Sequence, residues 1–154
     1  MPDKVGTMDK KYDPLKLENQ LCFPLYACSR EIIKKYRPLL EKLDLTYTQY
    51  IAIMVLWEQR KLSVKELGKK LYLDSGTLTP VLKSLEAKGF VSRNRSTEDE
   101  RVLMVEITKK GDALKEKAIS VPQELGKCIV LSPDEAACLY KILYKLLDGS
   151  ENGQ

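Results

Sequence analysis

Between Leu62 and Thr108 the apolar pattern of this chain changes period within a short span, and few folds accommodate the order in which it does so. Ser63 followed by Glu66 is a capping-box pattern, which predicts a short helix through about Leu71. Leu73-Asp74-Ser75-Gly76 reads as a turn. Leu78, Val81, Leu82 and Leu85 then recur at helical spacing, predicting a second helix from Ser75 or Gly76 to Lys88. Gly89 suits the left-handed residue that ends a helix. Phe90 to Arg95 reads as a strand, Ser96 to Glu100 as a polar turn, and Arg101 to Ile107 as a second strand with Leu103, Val105 and Ile107 on one face. Helix, turn, helix and charged hairpin in that order make a winged helix-turn-helix, a module whose second helix enters the major groove of duplex DNA. The predicted fold class is therefore mainly α with a small β-hairpin wing.

The flanks read as helices. Leu17, Leu21, Leu25, Ile32, Ile33, Tyr36, Leu40 and Leu43 predict one long helix from Pro14 to Leu43. Pro14 suits its first turn, whereas Pro24 falls in its interior and should kink it. Thr46 or Thr48 caps a second helix ending near Arg60, too apolar to lie on a surface. Beyond the hairpin, Thr108 caps a helix through about Gly126, and Ser132 caps a last one to about Leu147. Residues 46–108 then form the winged lobe of a single domain spanning 14–148. Residues 14–45 and 109–148 form a second lobe, with flexible tails at 1–13 and 149–154. The terminal helices are too few and too long to wrap one small core, and pairing with a second copy resolves this as a two-fold dimer.

Composition narrows the function classes. Residues 61–110 hold eleven Lys and Arg against seven Asp and Glu, while the rest of the chain balances, so the whole net charge of +4 falls on the suspected DNA reader. A solvated charged surface would look the same on charge alone. The chain has no histidine, and its four cysteines show no CxxC spacing, which argues against a zinc site. No cofactor is expected. No apolar run reaches membrane-spanning length and Met1 to Tyr12 is polar, so the expected location is the cytoplasm, with no membrane partner.

Ser75, Thr77, Thr79 and Lys83 lie where a recognition helix meets bases and phosphates, although hydroxyls there also simply cap and solvate a helix. At the hairpin, Arg93, Arg95 and Arg101 surround Ser96-Thr97-Glu98-Asp99-Glu100. An arginine at such a tip can enter a narrow minor groove, and an aspartate two residues away could hold its guanidinium in one pose. Asp99-x-Arg101-x-x-x-Val105-x-Ile107-Thr108-x-x-Gly111 resembles the wing signature of the MarR family of bacterial transcriptional regulators, with Ile107 in place of the usual leucine. The resemblance covers about residues 15–148. It implies a winged-helix homodimer that binds palindromic double-stranded operators, with Asp99 and Arg101 as the wing pair.

Three further segments resemble the organic hydroperoxide sensors of that family: Leu17-Glu18-Asn19-Gln20-Leu21-Cys22-Phe23, Leu43-Asp44-Leu45-Thr46-Tyr47-Thr48-Gln49-Tyr50, and Leu71 through Pro80. An arbitrary cysteine in an apolar helix is more often a small buried hydrophobe. The resemblance instead implies that Cys22 becomes a sulfenic acid and that the oxidised repressor leaves its operator. Tyr26 is one turn from Cys22, but Tyr36, fourteen residues along a continuous helix, is about 21 Å away in the same chain. The resemblance implies that Tyr36 and Tyr47 reach Cys22 from the second subunit. It also implies a thiol that completes the oxidation. Cys128 and a low-molecular-weight thiol forming a mixed disulfide are both candidates. Cys28 and Cys138 are expected to be structural, Cys138 in the core. Pro24 departs from the family pattern. A MarR-type regulator answering another oxidant or thiol state, and one binding a small phenolic ligand with Cys22 merely structural, remain alternatives. A thiol peroxidase is disfavoured by the lack of a redox pair and of histidine.

Overall fold

A computed structural model describes residues 9–151 and divides the chain into two compact units, Met1–Val121 and Pro122–Gln154. The first unit opens with two short 3-10 helices, Lys10–Leu15 and Leu17–Asn19. It continues with α1 (Cys22–Glu41), α2 (Tyr47–Gln59), β1 (Lys61–Ser63), α3 (Val64–Leu71), α4 (Ser75–Ala87), β2 (Val91–Arg95), β3 (Leu103–Ile107), α5 (Lys109–Ala113) and α6 (Lys115–Ala118). The division falls inside α7 (Ser120–Gly126), and the second unit holds α8 (Pro133–Glu151). Of the tails expected at 1–13 and 149–154, residues 1–8 and 152–154 lie outside the described residues.

The central module follows its local signals. Thr46 caps α2 through a full capping box: its hydroxyl accepts from the backbone N–H of Gln49, and the Gln49 side chain accepts from the Thr46 N–H. Ser63 and Glu66 do the same for α3. Gly89 takes a left-handed φ of 77° just beyond α4, and Thr108 caps α5 through Gly111. Leu40, Tyr50, Ile53, Leu56, Leu67, Leu78, Leu82, Leu85, Val105 and Ile107 are buried and form one core beneath the helix-turn-helix and the hairpin. That core joins elements distant in sequence, and burying this apolar surface is the main force holding the module together.

The sheet has one strand more than expected. β1, only three residues long, pairs antiparallel with β3, in the order β1-β3-β2, with Leu62 opposite Val105. Three residues carry too little alternation to reveal a strand; β3 supplies its partner. Gly111 shows why the wing returns so tightly into α5. A Cβ there would lie 2.1 Å from the Phe90 carbonyl oxygen, so only glycine permits the approach.

The first helix departs from the expected Pro14–Leu43 span. It begins at Cys22, and residues 10–19 form 3-10 turns instead. Asn19 Nδ2 donates to the Asp13 carbonyl at 2.8 Å, and Gln20 Nε2 donates to the carbonyls of Pro14 and Lys16. Pro24 explains the shift. In a helix from Pro14 it would remove the bond to the Gln20 carbonyl and clash with it, whereas three residues into α1 its missing N–H has no intrahelical partner to lose. The expected kink at Pro24 is thereby avoided. The proline that does sit in the interior of α1 is Pro38. The single helix expected over 108–126 is broken into α5, α6 and α7, and the last helix runs on to Glu151 rather than ending near Leu147.

Apolar side chains in and just before α1 are exposed among the described residues. Leu21 is 80% exposed, and Leu17, Leu25, Ile32 and Ile33 are exposed as well, whereas Leu40 and Leu43 are buried. In α8, Leu139, Tyr140, Ile142, Tyr144 and Leu146 are exposed, and the Tyr140 and Tyr144 rings lie 4.6 Å apart. Cys138, expected in the core, is exposed in this helix, and so is Cys28 in α1; in one chain, apolar spacing along these helices does not bring burial with it.

Candidate nucleic-acid interface and thiol site

Asp74 caps the N-terminus of α4, its carboxylate accepting from Thr77 N at 2.8 Å and from the Thr77 hydroxyl at 3.2 Å. These bonds, the backbone one foremost, hold the Asp74 carboxyl below the usual aspartate range. Thr79 donates its hydroxyl to the Ser75 carbonyl at 2.7 Å. Both threonine hydroxyls are thus engaged within the helix and present lone pairs outward, while the side chains of Ser75 and Lys83 are exposed on the same element. The four residues expected on a recognition helix therefore share one helix.

At the wing the Asp99–Arg101 pair adopts the geometry that the two-residue spacing predicts. Arg101 Nε donates to Asp99 Oδ1 at 3.0 Å, Nη2 to Oδ2 at 3.2 Å, and the Arg101 backbone N–H to Oδ1 at 3.0 Å. The Arg101 side chain is nonetheless 91% exposed, so the fork is oriented and still presented to solvent. The guanidinium, and after it the backbone N–H, lowers the Asp99 carboxyl from its ordinary range. Arg95 is also exposed and donates to the Arg101 carbonyl at 3.4 Å.

Arg93 does not join them. Its side chain is only 18% exposed and turns inward onto Glu86, at the C-terminal end of α4. Nε and Nη2 donate to Glu86 Oε2 at 3.1 and 2.8 Å, and the backbone N–H donates to Oε1 at 3.0 Å. The pair ties β2 to α4, and it lowers the Glu86 carboxyl. Its position in the hairpin alone placed Arg93 with the outward arginines; Glu86, seven residues upstream, is what turns it inward.

Cys22 is the first residue of α1 and is exposed. The end of a twenty-residue helix carries partial positive charge from N–H groups without intrahelical acceptors, and Leu21, in the capping position, contributes no side-chain bond to them. Tyr26, one turn on, is exposed, with the Arg30 guanidinium over its ring at 5.4 Å. Tyr36 stands at the far end of α1, against α2. Its ring centroid lies 4.8 Å from that of Tyr47 and 5.9 Å from that of Tyr50. Burial, reinforced by Tyr47 and Tyr50, pushes the Tyr36 phenol up to about 12, and burial raises Tyr47 and Tyr50 as well. All three remain protonated donors at neutral pH. Within one chain, then, Tyr36 and Tyr47 come together and Cys22 lies at the opposite end of α1.

A cleft of about 390 Å³ borders Tyr47, lined among others by Ile33, Arg37, Leu45 and Thr48. Cys128 follows α7 in the second unit and is exposed. Among the described residues no helix is long and apolar enough to cross a membrane, and no group of three or more His, Cys, Asp or Glu could hold a metal ion.

Sequence reading missed the buried side chain of Gln49, which bonds to Ser84 and Lys88 of the α4 segment. The signal was present: Gln49 stands three residues after Thr46, completing a capping box.

Residues 33–118 match the family model described as transcriptional regulator SarA/Rot. The chain is 50% identical over 141 residues to an organic hydroperoxide resistance transcriptional regulator of Bacillus subtilis, covering 92% of this chain and 96% of that protein. Its fold matches a structure of reduced AbfR bound to DNA, with a TM-score of 0.77 at 31% identity, covering 92% of this chain and 97% of the other. It also matches overoxidized AbfR bound to DNA, with a TM-score of 0.73 at 34% identity and coverage of 90% and 98%; AbfR is a protein of Staphylococcus epidermidis.

Proposed function

This chain belongs to the SarA/Rot family of transcriptional regulators, which share the MarR-type winged helix, and from that premise we propose that it is a homodimeric repressor switched by organic hydroperoxides at Cys22. The reading rests above all on the placement of the site residues. Cys22 opens one end of α1 while Tyr36 and Tyr47 pair at the other. Two α1 helices crossing antiparallel, each covering the exposed Leu21 and Leu25 face of the other, bring Cys22 of one protomer to Tyr36 and Tyr47 of its partner. Sensing and dimerisation then share one interface.

In the chemistry proposed, the Cys22 thiolate attacks the terminal peroxide oxygen. An S–O bond forms, the O–O bond breaks, and the alkoxide leaves and takes a proton to become the alcohol. Sulfur loses two electrons, which the peroxide gains. A second thiol, Cys128 or a small molecule, then attacks the sulfenic sulfur, forming a disulfide and releasing water. One peroxide is consumed per Cys22, so the protein acts as a regulator and not as an enzyme. The tyrosine phenols, kept protonated by burial, donate to the thiolate and lose that geometry once sulfur carries oxygen. On the DNA side, Ser75, Thr77, Thr79 and Lys83 meet the major groove while Arg95 and Arg101 approach the minor groove. Residues 46–108 serve as the reading lobe, and 14–45 with 109–148 as the pairing lobe.

The test is fluorescence anisotropy of a labelled palindromic promoter fragment from beside the protein's own gene, with and without an organic hydroperoxide. Wild type releases the fragment on oxidation and Cys22→Ser holds it. Peroxide-indifferent binding by both would sink the redox reading. The cleft beside Arg37 and Tyr47 favours one second reading, a small phenolic ligand. In that case alkylation of Cys22 would leave the ligand response intact.

A further inference from the structure

Gln49 is polar and only 6% exposed, and its hydrogen bonds join segments distant in sequence. Its amide oxygen accepts from Thr46 N at 3.1 Å and from Lys88 Nζ at 3.2 Å. Its amide nitrogen donates to Ser84 Oγ at 2.9 Å. Lys88 Nζ also donates to the Asp44 backbone carbonyl and, at 3.2 Å, to Asp44 Oδ1. Asp44 itself sits in the α1–α2 turn with a left-handed φ of 55°. One buried amide therefore binds that turn, the first turn of α2, and the C-terminal half of α4 together.

Its neighbours give this arrangement a consequence. Tyr47 is the first residue of α2 and Gln49 the third, so both move with one capped helical turn. Tyr47 rests on Tyr36. At the other end of the link, Ser84 immediately follows Lys83, which is exposed on α4 and belongs to the DNA-contacting set proposed above. α2 and α4 also pack together in the apolar core to which Ile53, Leu82 and Leu85 belong, and that attraction by itself is non-directional. The Gln49 bonds are directional, and leaving them unmade in a dry interior is costly. A displacement of Tyr47 therefore carries α4 with it as long as the amide bridge holds.

We infer that Gln49 is the positioning residue that couples the Tyr36–Tyr47 pair to the recognition helix, acting through its hydrogen bond to Ser84. The inference rests on the redox reading above and specifies how a change at the tyrosines reaches the DNA. Ser84 and Gln49 face away from the proposed DNA contacts, so reduced-state binding does not depend on them.

The experiment compares full-length wild type, Ser84→Ala, Gln49→Met and Gln49→Glu. Operator dissociation constants are measured for the reduced protein and after treatment with cumene hydroperoxide, and the rate of Cys22 sulfenic acid formation is followed by dimedone trapping and mass spectrometry. Ser84→Ala and Gln49→Met should oxidise at the wild-type rate and bind DNA normally when reduced. The loss of affinity on oxidation should shrink by roughly 2- to 30-fold relative to wild type, the range that changes along a coupling route produce. Gln49→Glu keeps both acceptor contacts and accepts the Ser84 hydroxyl proton, so it should restore the response. Should Gln49→Met fail to fold, Ser84→Ala alone carries the comparison. A wild-type response in Ser84→Ala, or no recovery in Gln49→Glu, overturns the inference while leaving the redox reading intact. Loss of response in the wild type itself overturns both.

Discussion

Removing the Arg101 side chain should change the salt dependence of operator binding by a predictable amount. Arg101 is 91% exposed and spends Nε and Nη2 on Asp99, which leaves its outer edge free to meet phosphate or the floor of a narrow groove. A two-fold dimer presents two such wings. Each phosphate contact contributes about −0.9 to the slope of log affinity against log salt on duplex DNA, so Arg101→Ala should flatten the slope by about 1.8. Between 50 and 200 mM salt that difference alone narrows the gap between wild type and variant by about 12-fold. Anisotropy titrations at four or five salt concentrations measure it, with Lys83→Ala as a second charge-removal control and Asp99→Asn as a test of the pose. Asp99→Asn keeps the cation and should preserve the slope while weakening binding, because the guanidinium is no longer held. Parallel lines for wild type and Arg101→Ala would refute the argument, showing that the exposed guanidinium meets no phosphate.

Three other outcomes follow from the geometry. Gly111→Ala places a Cβ 2.1 Å from the Phe90 carbonyl oxygen and 2.7 Å from Ile107 Cδ1; overpacking of this kind costs about 1–3 kcal/mol, and thermal unfolding should drop by about 2–12 °C at the sensitivity of a chain this size, a shift under 1 °C contradicting the close approach. Tyr36, raised from 10.0 to about 12 by burial, favours the fold in its neutral form; its contribution is intact below pH 10 and is lost as pH rises through 12, so urea midpoints should fall more steeply above pH 10 in wild type than in Tyr36→Phe, and identical profiles would place the phenol in water. If Cys128 completes the oxidation across the dimer, peroxide without added thiol should give covalent dimers on a non-reducing gel from wild type and none from Cys128→Ser; a purely monomeric product from wild type would rule that cross-dimer pairing out.

The parts of this protein that were legible in the chain are those whose partners lie within a few residues. The cap at Thr46, the capping box at Ser63–Glu66 and the left-handed Gly89 formed where local hydrogen bonding and backbone freedom placed them. Asp99 and Arg101 pair across two residues and needed only the turn between them. The apolar periods of α4 and β3 sorted their own buried faces, since side-chain direction follows from helix and strand geometry alone, whereas α2 showed only dense apolar content and leaves Met54 exposed.

What tertiary structure decided involves partners far apart in sequence, or a competition between neighbouring turns. β1 exists because β3 offers it an edge. Arg93 left the DNA-facing set once Glu86 was placed beside it. Pro24 and the side chains of Asn19 and Gln20 moved the start of α1 to Cys22, putting the thiol on a helix end. The Gln49–Ser84 bond spans thirty-five residues, and no periodicity announces it. Tyr36 and Tyr47 meet within one chain because the α1–α2 turn brings the start of α2 back beside the end of α1. Propensity, capping and apolar period are encoded residue by residue, so the sequence by itself determined the winged module and its outward arginine. Which polar groups end up facing each other in a dry interior depends on how the finished elements pack, and that packing fixed the helix end bearing Cys22, the inward turn of Arg93, and the buried amide beneath the recognition helix.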